Sequence, residues 1–447
     1  MVPLRTLLIH VGNMNNKGTQ ALLKSDVSLI KELFGDDVIF SVSTTDVEGV
    51  RGFGCFEKVF PPLIDIPYEK ADFYARRMAF SRSSLRYKLI AVAYLLWMLI
   101  ELALAMLSTV FVRVGLKPPY RGDLLMEIKS SSVIVSYSNE NFKEGVSYLP
   151  LNAYWMLSWW CMLISRTWIV FAAKFLGKKL VMFPNSIGGF RTWVGRFLAK
   201  LALNRFDYIL VREPRSLRNL TSLGVQTPVT MVSDTALLLG ADNSRSNTGL
   251  KRPLLCVSVG VYSHTLSSKE INWFVNVYSR VLDAAIQKYG FNVIFLPHYV
   301  SGFRYDDLEV SQLIHNSMRF KDKAQIAEPS SLQDYTFLLS SADLVISSKM
   351  HPAVLAVASY VPTLCIVYDS KQVGFFEQLG LPECILPVTN LSLDTFLSKI
   401  DHIWNRRQSI REVLGQRIPK LQRKIRSVVR KVLMEVTHQD ASITISS

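Results

Sequence analysis

"ADLVISSKMHPAVLAVASYVPTLCIVYDSKQVGFFEQLGL", Ala342–Leu381, reads as strand, loop, helix, strand and helix in succession. The apolar run Leu344-Val345-Ile346 stops at Ser347-Ser348, and Lys349 and His351 follow. Pro352 then opens an apolar helix, where proline is favoured because its missing N–H would be unpaired in the first turn anyway. Thr363–Val367 is a second apolar run of strand length. Two such strands joined by a helix belong to a parallel sheet covered on both faces. Lys349 and His351 fall at the carboxyl end of a strand and the N-terminus of a helix. Backbone N–H groups, the helix dipole and a cation converge there, which suits a phosphate or a carboxylate. His351 can also give or take a proton near neutrality.

The same alternation runs along the chain. Strands are expected at Thr6–His10, Val38–Ser43, Ser132–Tyr137, Lys179–Phe183, Tyr208–Val211 and Val229–Met231. A second set falls at Leu254–Val259, Asn292–Leu296, Ala324–Ala327, Leu344–Ser347 and Thr363–Val367. A chain of 447 residues suits two domains. The polar stretch "GADNSRSNTGLKRP", Gly240–Pro253, is the natural boundary. The expected fold class is α/β, with two Rossmann-like, doubly wound domains at residues 1–245 and 250–447. Such domains imply a cleft lined by loops at the carboxyl ends of the strands.

Leu89–Val112 interrupts this pattern with 24 residues that carry one charge, Glu101. Its length and hydropathy meet the criterion for a membrane span, and the insertion extends over about residues 85–118. Arg82, Arg86 and Lys88 precede it; Arg113 and Lys117 follow. A single crossing would separate Thr6–His10 from Ser132–Tyr137, which belong to one sheet. The segment therefore returns as a re-entrant hairpin, lies in the membrane interface, or is buried against protein. Membrane-surface contact at the cytoplasmic face is the expectation. The Trp-rich run Leu151–Leu176, broken by Ser158, Ser165, Arg166 and Lys174, reads as a sheet-covering core helix.

The formal net charge of +15 is uneven. Ten of the Lys and Arg residues lie between Arg406 and Lys431, against the single acid Glu412. Ile410, Leu414, Ile418, Leu421, Ile425 and Val429 recur there at helical spacing, so the stretch is a basic amphipathic helix, kinked or restarted at Pro419. Docking on its own domain is the first reading and an anionic lipid surface the second. Nucleic acid is not expected, because no aromatic-rich basic platform accompanies it. The five scattered cysteines form no Cys-x-x-Cys pair, which argues against a zinc site or a disulfide framework and fits a reducing cytoplasm. The amino terminus has no signal-peptide pattern and reads as a first strand.

Other candidate residues also sit at strand ends. "HVGNMNNKGTQALL", His10–Leu23, is a polar loop that leads into a helix, with Asn16, Lys17 and Gly18 placed to shape the first domain's side of the cleft. Arg212 follows Tyr208–Val211 and can offer a two-pronged contact to carboxylate or phosphate. "FPNSIGGF", Phe183–Phe190, supplies Asn185 and Ser186 as donors, with Gly188 and Gly189 allowing close approach. "FLPHY", Phe295–Tyr299, places His298 at a strand end of the second domain. No phosphate-binding P-loop pattern and no G-x-G-x-x-G is present, and no acidic pair suggests a metal.

Taken in order, "NKGTQALL", "NSIGGF", "VREPRS", "LTSLGV", "SDTALLL" and the stretch from Ser347 to Leu381 resemble the polysaccharide pyruvyl transferase family, over about residues 6 to 385. That family usually has proline where Gly189 stands. It often has Ser-x-Arg-x-His where this chain has Ser347-Ser348-Lys349-Met350-His351, and a Tyr-Asp-x-Lys run matched here by Tyr368 to Lys371. The resemblance implies a glycosyltransferase-B-like pair of domains, phosphoenolpyruvate as donor substrate without a further cofactor, and a saccharide or lipid-linked saccharide as acceptor. It implies a pyruvate ketal as product. Lys349, His351 and Arg212, expected to face them across the cleft, are the catalytic candidates. His351 fits a phosphate ligand or a general acid. Asn16, Lys17, Gly18, Asn185, Ser186, Gly188, His298, Tyr368 and Lys371 are substrate-binding candidates. Lysine in place of the family's arginine substitutes one compact charge for a planar fork. Two other readings stay open: a nucleotide-sugar glycosyltransferase with Glu377 on the ribose, and a catalytically silent, membrane-associated partner in glycan assembly. The sequence does not give the oligomeric state.

Overall fold

The computed structural model describes residues 4–66, 85–144, 153–240, 250–261, 268–302 and 305–437. Two compact units emerge. The first comprises Met1–Met14, Asp26–Val232 and Ile425–Ser447; the second comprises Asn15–Ser25 and Ser233–Lys424. Arg82 and residues 241–249 of the linker stretch lie outside the described residues.

The first unit holds a seven-stranded sheet of β1 (Arg5–Val11), β2 (Ile39–Thr44), β3 (Lys58–Phe60), β4 (Val133–Ser136), β6 (Leu180–Asn185), β8 (Tyr208–Val211) and β9 (Val229–Met231). Its order is β3-β2-β1-β4-β6-β8-β9, with every pair parallel. β5 (Phe142–Lys143) and β7 (Ile187–Gly188) form a small parallel pair of their own. The second unit holds β10 (Leu254–Ser258), β11 (Asn292–Phe295), β12 (Ala324–Ile326), β13 (Leu344–Ser347), β14 (Thr363–Val367) and β15 (Ile385–Pro387). Their order is β12-β11-β10-β13-β14-β15, again all parallel. In each sheet the chain steps outward, then crosses back beside its first strand and steps the other way. This is the doubly wound arrangement, and its switch point lies between β1 and β4 in one sheet and between β10 and β13 in the other.

Central strands are buried along their whole length, as in β10 and β14, which is why they read as uninterrupted apolar runs. β3, β5, β7 and β15 have two or three residues each and escape a pattern-based reading. The Trp-rich helix, Ala153–Phe175, is a core helix as expected: Cys161, Leu163, Val170 and Ala173 join Leu180 and Met182 in one buried cluster. The last helix, Arg407–Thr437, continues through Pro419 without a restart. Its stripe Ile410, Leu414, Ile418, Ile425 and Val429 is buried, but the chain from Ile425 onward groups with the first unit, which corrects the expectation that the whole helix belongs to the second domain.

The apolar insertion is one helix, Leu85–Arg113, and not a hairpin. Met98, Ala105 and Val112 are buried on one face, while Leu89, Leu96, Leu99, Ile100 and Leu107 are exposed on the other. β1 pairs directly with β4, so a single membrane crossing between them is incompatible with the fold.

Two groups in the first unit, buried Glu144 and half-buried His10, organise its loops. Glu144 accepts hydrogen bonds from Arg191 N at 2.7 Å, Thr192 N at 2.8 Å and Trp160 Nε1 at 2.8 Å, and from the Thr192 hydroxyl. His10 adopts φ 70° where the β1–β2 register shifts, and its ring sits between Ser136 Oγ at 2.9 Å and Arg166 O at 3.1 Å. Burial, reinforced by the charge of Arg166, pushes the His10 imidazole down to about 3.

Glu144→Ala leaves buried donors without an acceptor and is expected to cost about 3 kcal/mol in urea unfolding. A stability unchanged within about 0.5 kcal/mol would contradict that role. His10 stays neutral in the folded chain well below the pH at which the unfolded chain protonates it. Its contribution is therefore intact above about pH 6.5 and is lost as pH falls toward 3, by up to about 1.4 kcal/mol per pH unit. Chemical unfolding of His10→Asn across pH 4–7 should show a flatter slope than the parent chain.

Candidate functional site

The site is built in the second unit, at the switch point of its sheet. β13 ends at Ser347, and Lys349 is the N-cap of the helix Met350–Ala358. The Ser347 hydroxyl accepts from Lys349 N at 3.1 Å and donates to Lys349 O at 2.7 Å, which sets the turn. Ser348 Oγ receives Gly260 N at 2.8 Å and donates to Gly260 O at 3.0 Å, tying the turn to the chain leaving β10. A Cβ on Gly260 would stand 1.9 Å from Lys349 Cε. The lysine side chain thus lies directly over a residue that has none, and a Cβ there would force it to shift.

From there Lys349 Nζ meets Asp307 Oδ1 at 2.9 Å. Asp307 is the first residue of the helix Asp307–Ser317 and is buried. Its other oxygen accepts Tyr299 N at 2.9 Å and His298 N at 3.2 Å. The ammonium also stands 5.9 Å from the centroid of the Tyr299 ring. Burial raises the Asp307 carboxyl, while Lys349 and the two backbone donors pull it back down.

His351 lies in the first turn of its helix. Its ring stacks on that of His298, with centroids 6.1 Å apart and planes 21° apart. His298 is buried, with Nδ1 3.2 Å from Tyr335 OH. Burial, aided by His351, Lys349 and Lys17, holds the His298 imidazole well below its ordinary value, so it is neutral. His351 Nε2 stands 3.9 Å from Asp234 Oδ2, and Asp234 caps the turn Thr235–Leu238 through Ala236 N.

The loop ahead of the first helix closes the arrangement. Asn16 bridges antiparallel to Tyr299, and Lys17 N donates to His298 O at 3.2 Å. Asn16 Oδ1 accepts Gly18 N at 2.8 Å. A Cβ on Gly18 would lie 2.3 Å from His351 Nδ1. This corrects the expectation that Asn16, Lys17 and Gly18 belong to the first domain: backbone pairing with His298 and Tyr299 groups Asn15–Ser25 with the second unit. The N-termini of the helices Lys17–Phe34 and Met350–Ala358 therefore meet at His351. Both present partial positive charge there, beside Lys17 and Lys349. Burial lowers the Lys17 ammonium. The arrangement can hold an anion and pass a proton beside it.

Tyr368 and Lys371 flank the next strand end. Tyr368 N donates to Gln372 Oε1 at 3.0 Å, and Asp369 caps the helix Ser370–Leu379. Burial pushes the Lys371 ammonium down to about 8. The remaining candidates lie in the first unit. Arg212 is buried; its Nε donates to Ser186 Oγ at 2.8 Å and its Nη2 lies 3.6 Å from Glu140. It braces the carboxyl ends of β6 and β8. Asn185 is buried and spends its amide N–H groups on Tyr137 O and Phe183 O, at 3.0 and 2.8 Å. The space beside Gly188 is taken by the Asn219 side chain, whose amide donates to Ile187 O at 2.7 Å.

Sequence reasoning missed Asp307, Asp234, Tyr335 and Gly260. Asp234 lies within the stretch "SDTALLL", where no local pattern singles it out, and nothing local marks Asp307. Only the pairing of β10 with β13 brings Gly260 under Lys349.

The profile of the polysaccharide pyruvyl transferase family matches residues 16–370. The amylovoran biosynthesis protein AmsJ of Erwinia amylovora is 22% identical over 256 residues, which are 54% of this chain and 61% of that protein. Among solved structures, the UDP-GlcNAc 2-epimerase of Neisseria meningitidis bound to UDP-GlcNAc superposes with a TM-score of 0.57 at 9% identity, over 96% of this chain and 100% of that one. The UDP-GlcNAc 2-epimerase of Methanocaldococcus jannaschii gives 0.55 at 9%, over 96% and 99%. Anabaena HepE in complex with UDP and glucose gives 0.53 at 11%, over 96% and 100%. These likenesses establish the two-domain, Rossmann-like α/β fold of the glycosyltransferase-B kind. With the family profile spanning Lys17, the strand ends and the Lys349–His351 turn, the chain belongs to the polysaccharide pyruvyl transferase family, a family of transferases.

Proposed function

We propose that this protein moves a pyruvyl group from phosphoenolpyruvate to a pair of hydroxyls on a saccharide of a cell-surface polysaccharide or its lipid-linked precursor, working in the cytoplasm. The observation that carries this reading is the meeting of two helix N-termini, Lys349 and His351 at one switch point, inside the residues that match the family. The relative named for amylovoran biosynthesis supports a polysaccharide setting.

Phosphoenolpyruvate presents a phosphate and a carboxylate, and the paired helix termini with Lys17 and Lys349 offer charge for such groups. A proton delivered to the methylene carbon makes C2 an oxocarbenium-like electrophile. One sugar hydroxyl adds to C2 and loses its proton. The C2–O bond to phosphate then breaks, phosphate departs with a proton, and the second hydroxyl closes the ketal. His351 is the group placed to hand on a proton, with Asp234 3.9 Å from its Nε2 and the Gly18 backbone packed against its Nδ1. Lys349, fixed by Asp307, is a set charge and not a swinging one. His298 stays neutral and adds no competing positive charge.

Purified protein incubated with phosphoenolpyruvate and candidate saccharide acceptors should release phosphate only when both are present. His351→Ala should lower that rate by roughly 10²-fold, in the range of a lost general acid. Undiminished release in that variant would overturn the role of His351. Saturable binding of a nucleotide sugar, with none of phosphoenolpyruvate, would overturn the donor. Gly260→Ala forces Lys349 aside and should raise KM for phosphoenolpyruvate at least tenfold, with the far-ultraviolet circular dichroism unchanged. An unaltered KM would show that Lys349 does not meet the donor.

A further inference from the structure

The helix Leu85–Arg113 has a built face and an unbuilt one. On the built face Glu101 is 2% exposed, and its carboxylate accepts from Asp65 N at 2.9 Å, Trp97 Nε1 at 2.9 Å and Tyr120 OH at 2.7 Å. Ser108 Oγ accepts Tyr120 N at 2.9 Å, and Lys129 Nζ donates to Val112 O at 3.0 Å. Leaving the first unit to cross a bilayer would strip these partners from a buried carboxylate. The helix is fixed lengthwise against protein.

The opposite face carries Leu89, Val92, Leu96, Leu99, Ile100 and Leu107, each 47–61% exposed. Their spacing makes one stripe, and the 18 residue steps from Leu89 to Leu107 at 1.5 Å each give it a length of about 27 Å. The most apolar 18-residue window within Lys88–Arg113 has a mean hydropathy of 2.3. A contiguous apolar stripe of this length is larger than a soluble surface ordinarily leaves open. Exposed Lys88 stands just before it, and exposed Arg113 and Lys117 stand after it.

We propose that this stripe seats the protein in the plane of a bilayer that carries anionic headgroups, with the helix lying at the headgroup–acyl boundary. The charge pattern selects this occupant over a second copy of the chain. Two stripes packed against each other would bring cation-bearing ends together in either orientation. A lipid surface instead takes the leucines into its acyl region and pairs the terminal cations with headgroups. The seat stands independently of the reaction proposed above.

The test uses the full-length protein and flotation with vesicles. Vesicles of phosphatidylglycerol and phosphatidylethanolamine should carry the protein upward, and pure phosphatidylcholine vesicles should carry at least tenfold less. The triple change Leu96→Glu, Leu99→Glu and Leu107→Glu alters exposed side chains alone, so it should keep the circular dichroism of the parent and abolish flotation. Lys88→Glu with Arg113→Glu and Lys117→Glu should erase the preference for phosphatidylglycerol. Failure of the parent protein to float on either lipid overturns the proposal. So does a dimer in analytical ultracentrifugation that the leucine variant dissociates while vesicle binding stays at background.

Discussion

The ion pair between Lys349 and Asp307 organises the second unit's site. A buried carboxylate is tolerated only where donors repay its lost hydration, and Asp307 receives three: the lysine ammonium and the N–H groups of His298 and Tyr299. Those same two residues pair with Lys17 and Asn16. One carboxylate thereby fixes the end of β13, the loop after β11 and the loop that opens the first helix. The pair exists because the chain at Gly260 has no side chain to obstruct it. Lys349 is held at a length and angle that a freely solvated lysine would not keep. Substituting an ammonium for a planar guanidinium there changes the shape of the contact, and Asp307 determines where that smaller charge stands.

The imidazoles divide the work by environment. His298 is buried, bonded to Tyr335 and surrounded by positive groups, so it is neutral scaffolding. His351 stacks on it while retaining a carboxylate neighbour, Asp234. Two histidines in ring contact therefore sit in different surroundings, which residue type alone does not reveal. The Gly18 backbone completes the wall of the His351 ring, so the loop in which it sits gives the site its shape as well as its charge.

Much of this was legible in the sequence where the signal is local. Strand-helix alternation, both sheets, the core role of the Trp-rich helix and the turn from Ser347 to Pro352 follow from patterns within some ten to twenty residues. What escaped depends on pairing across sequence. Asp307 is 42 positions from Lys349, and no spacing rule links them. The loop at Asn16 follows a first-unit strand, so chain order places it there, whereas its backbone hydrogen bonds place it with His298. Arg212 looks like an open fork at a strand end, but Glu140 and Ser186 claim it once β6 and β8 lie side by side. The apolar helix satisfied a length test for crossing a membrane. The bonds to Glu101, with the burial of Met98, Ala105 and Val112, show which of its faces is committed to protein.

The insertion also bears on how the chain is made. β1 takes β4 as its neighbour, with Thr6 opposite Val133, so the first sheet's centre stays open until more than a hundred residues have followed β1. During that interval the helix Leu85–Arg113 is synthesised ahead of Tyr120, which later caps Glu101. Long-range parallel pairing is slow to close, and an apolar segment waiting for it is exposed on every side. A nearby bilayer offers that segment shelter before the sheet can. With the bilayer seat proposed above, the nascent chain would complete its first sheet while resting on a lipid surface, and synthesis in a lipid-free extract would be where aggregation competes most strongly with folding.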